Sequence, residues 1–289
     1  MNKFILGSAQ MGMSYGVSNK LGKVRSVEAK KIINFAERNN IQTIDTAMNY
    51  GSSEELLGKI CDKSWKIITK IPKFPDNLSN ISSWFDKKIL KSLESLKRTN
   101  IDTLLVHEPK DLKNNLYGKD LISLLMKLKN EGVINNIGIS IYDSTSLKEY
   151  IDLIEVDIVQ APVNIFDRRI IDSGWANKLN SLGIEVHARS IFLQGLLLMK
   201  SSDRPKFFHK WNHIWKTWDN FLIENNISAL EACIYHVNKF SNIDKILIGV
   251  ESQQQLKQIL DFSNQNRLNL NFDDFCLSDE DLINPSRWV

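Results

Sequence analysis

Short, almost unbroken apolar runs alternate with amphipathic stretches along the whole chain. The runs are FILG (4–7), IQTID (41–45), WKIITK (65–70), IDTLLVH (101–107), INNIGIS (134–140), VDIVQAP (156–162), GIEVHARS (183–190) and DKILIGV (244–250). They are rich in Ile, Val and Leu and do not alternate strictly, so they read as parallel strands buried on both faces. The stretches between them have helical spacing. In residues 26–40, Val27, Ile32, Phe35 and Ala36 approximate one face. Residues 83–100 and 121–132 carry similar patterns, the latter ending in Gly132, a helix stop. Strand and helix recur about every 25 to 30 residues, the βα repeat of a parallel sheet. Eight such units fit within 289 residues. A (β/α)8 TIM barrel, typically about 250 residues long, is therefore the expected fold, with a doubly wound sheet as the alternative. No low-complexity linker divides the chain, so residues 1–289 are read as one barrel domain.

The interval between the last two runs, 191–243, is too long for one helix and holds two helical patterns, at 208–225 and 227–240. The first sets Trp211, Trp215 and Trp218 at i, i+4 and i+7. Such a stripe reads first as core packing against the barrel and second as an aromatic wall of a ligand pocket.

Composition narrows the classes. Hydrophobic residues make up 43% and charged residues 25%, ordinary for a globular protein with a sizeable core. The net charge of +3 comes with scattered lysines and no basic block, so no nucleic-acid partner is expected. No apolar run approaches the roughly 20 residues of a membrane span, and the amino-terminal run is too short for a secretory signal. Cys61, Cys233 and Cys276 form neither a close pair nor a metal-ligand spacing. An odd count without a signal peptide points to a reducing compartment. The expectation is a soluble, cytoplasmic protein without a metal site.

In a barrel, the carboxyl ends of the strands face the active site. The second run ends in Asp45, with Tyr50 in the following loop; the third ends in Lys70 and the fourth in His107. Asp45 and Tyr50 taken alone read as turn chemistry and a half-buried aromatic. Four such residues arriving on one rim from three consecutive strands are harder to assign to packing, because charged groups are rarely buried unless paired.

DTAMNYGSSEELLG, IITK and LLVHEP, in that order, resemble the active-site segments of the aldo-keto reductase superfamily. EGVINNIGIS, IVQAPVNIFDRR, ARSIFLQGLLL and ILIGVESQQQL resemble that family's later strands, so the likeness covers nearly the whole chain. It implies an NAD(P)H-dependent oxidoreductase that reduces an aldehyde or ketone to an alcohol, with Asp45, Tyr50, Lys70 and His107 catalytic. A phenol has a pKa near 10 and is a poor acid at neutral pH. The Lys70 ammonium is expected to pull that value down and make Tyr50 the proton donor. Asp45 would hold Lys70, and His107 would donate a hydrogen bond to the carbonyl oxygen.

The resemblance also implies the cofactor contacts. Ser140 and Gln160 match positions that hold the nicotinamide carboxamide. Ser190, Leu193 and Gln194 fall in the loop that meets the pyrophosphate. Gly249, Val250, Glu251, Ser252, Gln255 and Gln258 fall in the segment around the adenosine phosphate end. Three places depart from the family pattern. Ile141 stands where many members have Asn. Arg189 stands where many stack a Tyr on the nicotinamide, a place its planar guanidinium can fill. Glu251, Ser252 and Gln255, with Lys257 near, stand where NADPH-dependent members carry Lys or Arg. The family implies NADPH; a carboxylate at that place keeps NADH as the alternative.

The partner implied is a small-molecule carbonyl substrate, and a likeness to bacterial reductases of sugar and surface-polysaccharide pathways implies a sugar-derived one. Its walls would come from the loop after Tyr50, from residues 204–221 and from the tail NPSRWV (284–289). Trp84, Trp211, Trp288 and Phe166 are candidate apolar surfaces there that read first as core. A monomer or weak oligomer is expected. The rival readings are a cofactor-binding regulatory barrel without turnover and a barrel lyase or isomerase acting on sugars. Other motifs fall away. GSAQMGM (7–13) lacks the Lys and the Ser or Thr of a phosphate loop, and no Gly-x-Gly-x-x-Gly occurs. His209 and His213, four apart, lack an intervening Glu and a third ligand and read as surface or capping residues. His187 reads as a core or rim histidine.

Overall fold

A computed structural model describes residues 3–75, 77–263 and 270–288. Met1, Asn2 and the final residue of the predicted tail wall, Val289, lie outside the described residues. All eight apolar runs are strands: β1 (Phe4–Gly7), β2 (Thr43–Asp45), β3 (Lys66–Ile71), β4 (Ile101–Val106), β5 (Ile134–Ser140), β6 (Ile158–Pro162), β7 (Glu185–Arg189) and β8 (Lys245–Gly249). Each pairs in parallel with the next, and β8 returns to β1 to close a barrel. The connecting helices are α1 (Ser26–Arg38), α2 (Ser53–Ile60), α3 (Ile81–Leu96), α4 (Gly118–Asn130), α5 (Leu147–Leu153), α6 (Trp175–Ser181), α7 (Asn212–Glu224), α8 (Ala229–Asn238) and α9 (Gln253–Ser263). Among the described residues no helix is long and apolar enough to cross a membrane.

Successive strand residues point to opposite faces, and this period sorts the apolar runs into two cores. Phe4, Leu6, Ile44, Ile67, Leu104, Val106, Ile137, Val159, Val186 and Ile248 pack in the main core with the helices. The residues between them, Ile5, Ile68, Leu105 and Ile158 with Leu247, form a separate cluster, an apolar floor inside the barrel. Two residues further along the same inner faces stand Gly7, Lys70, His107, Gln160 and Gly249. One layer is hydrocarbon and the next is chemistry. Gly138 makes the floor fit: a Cβ there would lie 2.5 Å from both Leu105 Cδ2 and the Ile158 carbonyl oxygen.

The helices follow the sequence pattern with adjustments. On α1 the buried set is Ala29, Ile32, Ile33 and Ala36, an i, i+3, i+4, i+7 stripe. Val27 lies off that stripe and is 69% exposed, so it does not belong to the predicted face. Helix α3 starts two residues early because the Asn80 side chain caps it, accepting the Ser83 N–H (2.9 Å). Gly132, at φ +71°, carries the chain out of α4 while the Val133 N–H returns to the Leu128 carbonyl (3.0 Å).

Between β7 and β8, a 3₁₀ segment (Lys206–Trp211) precedes α7, and a capping box of Ser228 and Glu231 opens α8. The tryptophan stripe is core. Trp215 and Trp218 are buried and donate their indole N–H groups to the carbonyls of Phe208 (2.9 Å) and Leu197 (3.1 Å). Trp211 donates to Asp279 (2.7 Å).

Candidate active site

The polar layer above the floor opens into a cleft of about 520 Å³. Asp45, Tyr50, Lys70 and His107 all border it. Asp45 ends β2 and Lys70 stands one residue before the end of β3, both on the inner face, where their side chains form a salt bridge, each only 2% exposed. Lys70 also donates to the Thr46 carbonyl oxygen (2.9 Å). The other Asp45 oxygen accepts from Gln160 Nε2 across the barrel (2.9 Å). The carboxylate is thus held by a cation on one side and an amide on the other.

Tyr50 reaches the cleft from the turn after β2, and the stretch rejected as a phosphate loop makes that turn possible. A Cβ on Gly12 would fall 1.8 Å from the Tyr50 carbonyl oxygen, so only glycine lets the two segments meet. Buried hydroxyls lock the junction. Ser8 Oγ donates to the Asp45 carbonyl (2.9 Å), Ser53 Oγ to Ser8 Oγ (2.8 Å) and Thr46 Oγ1 to Ser53 Oγ (3.1 Å). The Tyr50 ring meets the His107 ring edge-on at 6.1 Å and lies 5.3 Å from Lys70 Nζ.

Electrostatics here correct one expectation. Burial, reinforced by the Asp45 charge, pushes the Tyr50 phenol well above its ordinary value; Arg189 opposes the shift without reversing it. The phenol stays high although Lys70 Nζ lies 5.3 Å from its ring. Burial, together with the charges of Lys70 and Arg189, lowers His107 to about 3, so its imidazole is neutral across ordinary pH. The layer therefore holds a protonated phenol, a neutral imidazole and an internally paired lysine.

Of the residues matched to cofactor contacts, Ser140, Gln160, Arg189, Ser190, Gln194, Gly249, Val250, Glu251, Gln255 and Gln258 border the cleft. Two do not. Leu193 turns its side chain wholly into the core and shares a left-handed backbone (φ +48°) with Ser190 and Gln194. Ser252 faces α9, where its Oγ accepts the Gln255 N–H (3.2 Å). Residues that the sequence reading missed also line the cleft: Ser8, Gln10, Tyr15, Ser18 and Tyr142. Tyr142 had a signal, since it stands two beyond Ser140 and shares its inward parity. Tyr15 lies in a loop without periodicity, and burial raises its phenol to about 12.

The substrate walls also differ from expectation. Pro285 and Ser286 of the tail border the cleft, whereas residues 204–221 and the loop beyond Tyr50 do not. Trp84, Trp211, Trp288 and Phe166 pack elsewhere. His187 is buried with Nε2 2.9 Å from Glu185, and His209 contacts the Arg204 carbonyl (3.2 Å).

A dinucleotide fits this donor set. Gln160 must turn Nε2 toward the Asp45 carboxylate, which leaves its buried Oε1 without a partner and aimed away from it. That oxygen is the acceptor a carboxamide N–H needs. At the other end a Cβ on Gly249 would lie 2.7 Å from the Gln10 amide, a movable group that also borders the cleft.

The profile described as the Aldo/keto reductase family matches residues 3–272, and the chain belongs to that family of oxidoreductases. D-arabinose 1-dehydrogenase of Saccharomyces cerevisiae is 26% identical over 297 residues, covering 93% of this chain and 86% of that protein. The NADH-specific methylglyoxal reductase of Escherichia coli is 25% identical over 279 residues, covering 83% and 82%. Among solved structures, an aldo-keto reductase from Bacillus halodurans superposes with a TM-score of 0.71 at 19% identity, covering 92% of this chain and 88% of that one. The glycerol dehydrogenase of Gluconobacter oxydans does so at 0.69 and 21%, covering 93% and 88%. At such identities the structures show a shared fold.

Proposed function

We propose that this protein reduces a small aldehyde or ketone, sugar-derived, to an alcohol at the expense of NADH, with Tyr50 as proton donor. The observation that carries the reading is the convergence of Asp45, Lys70, Tyr50 and His107 in one layer beside the free Gln160 oxygen. A bound reduced nicotinamide supplies a hydride to the carbonyl carbon. The chain's own residues do the rest. Neutral His107 donates to the carbonyl oxygen and orients it, and Tyr50, protonated at neutral pH, gives the proton that turns the oxyanion into a hydroxyl. Asp45 holds Lys70 in place beside the phenol ring.

The family expectation of NADPH gives way in this reading to NADH. Among the described residues, the cations bordering the cleft are Lys70 and Arg189, both on the rim near Tyr50. The opposite end offers Glu251, Gln255 and Gln258, while exposed Lys257 pairs with Asp261 (3.2 Å). A 2′-phosphate would meet a carboxylate there, whereas a ribose hydroxyl finds an acceptor. The names of the yeast and Escherichia coli relatives support a sugar carbonyl and NADH respectively. The three free cysteines support a cytoplasmic setting. A monomer fits the spread of exposed apolar residues over separate elements: Leu21, Val27 on α1, Leu90 on α3, Leu116 and Ile223 on α7.

Fluorescence titration of the seven tryptophans with NADH and NADPH, followed by a screen of sugar aldehydes for NADH consumption, tests this reading. Saturable binding with carbonyl-dependent turnover supports it. Binding without turnover would favour a regulatory barrel, and turnover of a sugar without dinucleotide a lyase or isomerase.

A further inference from the structure

We infer that the cleft binds the reduced, uncharged nicotinamide more tightly than its oxidised, cationic form, and that Arg189 is the residue that discriminates between them. The inference rests on the cofactor reading above. Arg189 ends β7, and its guanidinium is held from three sides. It donates to the Ile141 carbonyl oxygen (2.8 Å) and to Ser190 Oγ (3.1 Å), and it lies 4.6 Å from the centre of the Tyr142 ring. None of these partners carries a negative charge. The other cation of the rim, Lys70, is neutralised by Asp45. Tyr15, Tyr50 and His107 are uncharged at neutral pH. Among the described residues that line the catalytic end of the cleft, the Arg189 charge thus stands without a carboxylate partner.

That charge stands beside the carboxamide acceptor. Gln160 pairs in register with His187, and Arg189 follows His187 on the same inner face of β7. A ring held by Gln160 and Ser140 shares the rim with the guanidinium, whichever redox state it is in. Hydrogen bonds and shape are common to both states; the positive charge of the oxidised ring is not. At rim distances of several ångströms and an effective dielectric near 20, like-charge repulsion is worth about tenfold in affinity after partial screening. By linkage the bound couple is shifted by about 30 mV in favour of the reduced form's binding. Arg189 thereby favours loading of the reduced cofactor and speeds departure of the spent one, while making the bound nicotinamide a slightly weaker hydride donor.

The test is to measure Kd for NADH and NAD+ by tryptophan quenching and calorimetry, in wild type, Arg189→Gln and Arg189→Lys, at low and physiological salt. Wild type is expected to bind NADH about tenfold more tightly than NAD+. Arg189→Lys should keep the gap, and Arg189→Gln should close it, chiefly by gaining affinity for NAD+. Equal affinities in wild type overturn the inference without recourse to any variant, as does an unchanged gap in a folded Arg189→Gln protein. A folded wild type that binds neither form overturns the cofactor reading itself.

Discussion

Lys70 is nearly inaccessible to solvent, and the oxygens it meets are those of Asp45 and the Thr46 carbonyl. Removing one member of a buried ion pair strands the other, so Lys70→Met is expected to lower stability by about 3–5 kcal/mol. Denaturant melts check this, and adding Asp45→Asn should recover part of the loss. Tyr50→Phe should fold normally yet lose about 10²–10⁴-fold in carbonyl reduction, the range for removing a general acid; retention of near-wild-type rates would sink the assignment. Because the phenol titrates high and His107 near 3, kcat/KM for reduction should stay flat from about pH 5 to 9. The histidines also shape acid stability. His107 and His236, the latter buried between Phe240 and Phe272, are both held near 3 against an unfolded value of 6.5. Their neutral forms favour folding fully above 6.5, and that share is lost as pH falls toward 3. His236→Leu should therefore flatten the acid limb of a stability profile.

At the scale of elements, the strands do two jobs on alternate residues, which is why some of the molecule was readable from sequence. The eight runs, their order and the helix stop at Gly132 follow from hydrophobic patterning, because burial on both faces leaves a strong local trace. The floor of Ile5, Ile68, Leu105, Ile158 and Leu247 was legible only as part of those runs; its separateness emerges once β8 closes on β1. The bond from Gln160 to Asp45 spans 115 residues and left no local trace. Nor did the seating of Tyr50 on Gly12, which depends on two loops meeting. Leu193 and Ser252 turn their side chains away from the cleft, a direction that adjacency to a site does not reveal. Gly138→Ala would drive a methyl into Leu105 and the Ile158 backbone, and is expected to cost about 1–3 kcal/mol. Trp218→Ala should cost about 3–5 kcal/mol in thermal or denaturant unfolding.

For the molecule as a whole, charge is divided along the cleft: cations at the catalytic rim, and Glu251 as the acidic group toward the far end. Exchanging Glu251→Arg should move preference from NADH toward NADPH by about tenfold or more, read as the ratio of kcat/KM values. The apolar floor carries a different consequence. On five strands it closes the barrel beneath the reacting layer with side chains that neither donate nor accept protons, and on β7 the buried His187 and its partner Glu185 stand at that depth instead. Tyr50 itself borders the open cleft, so the proton it surrenders in the proposed reaction has a direct way back from solvent, by the same door the substrate uses. Proton resupply and substrate traffic then share one passage, and a bulky bound product delays both.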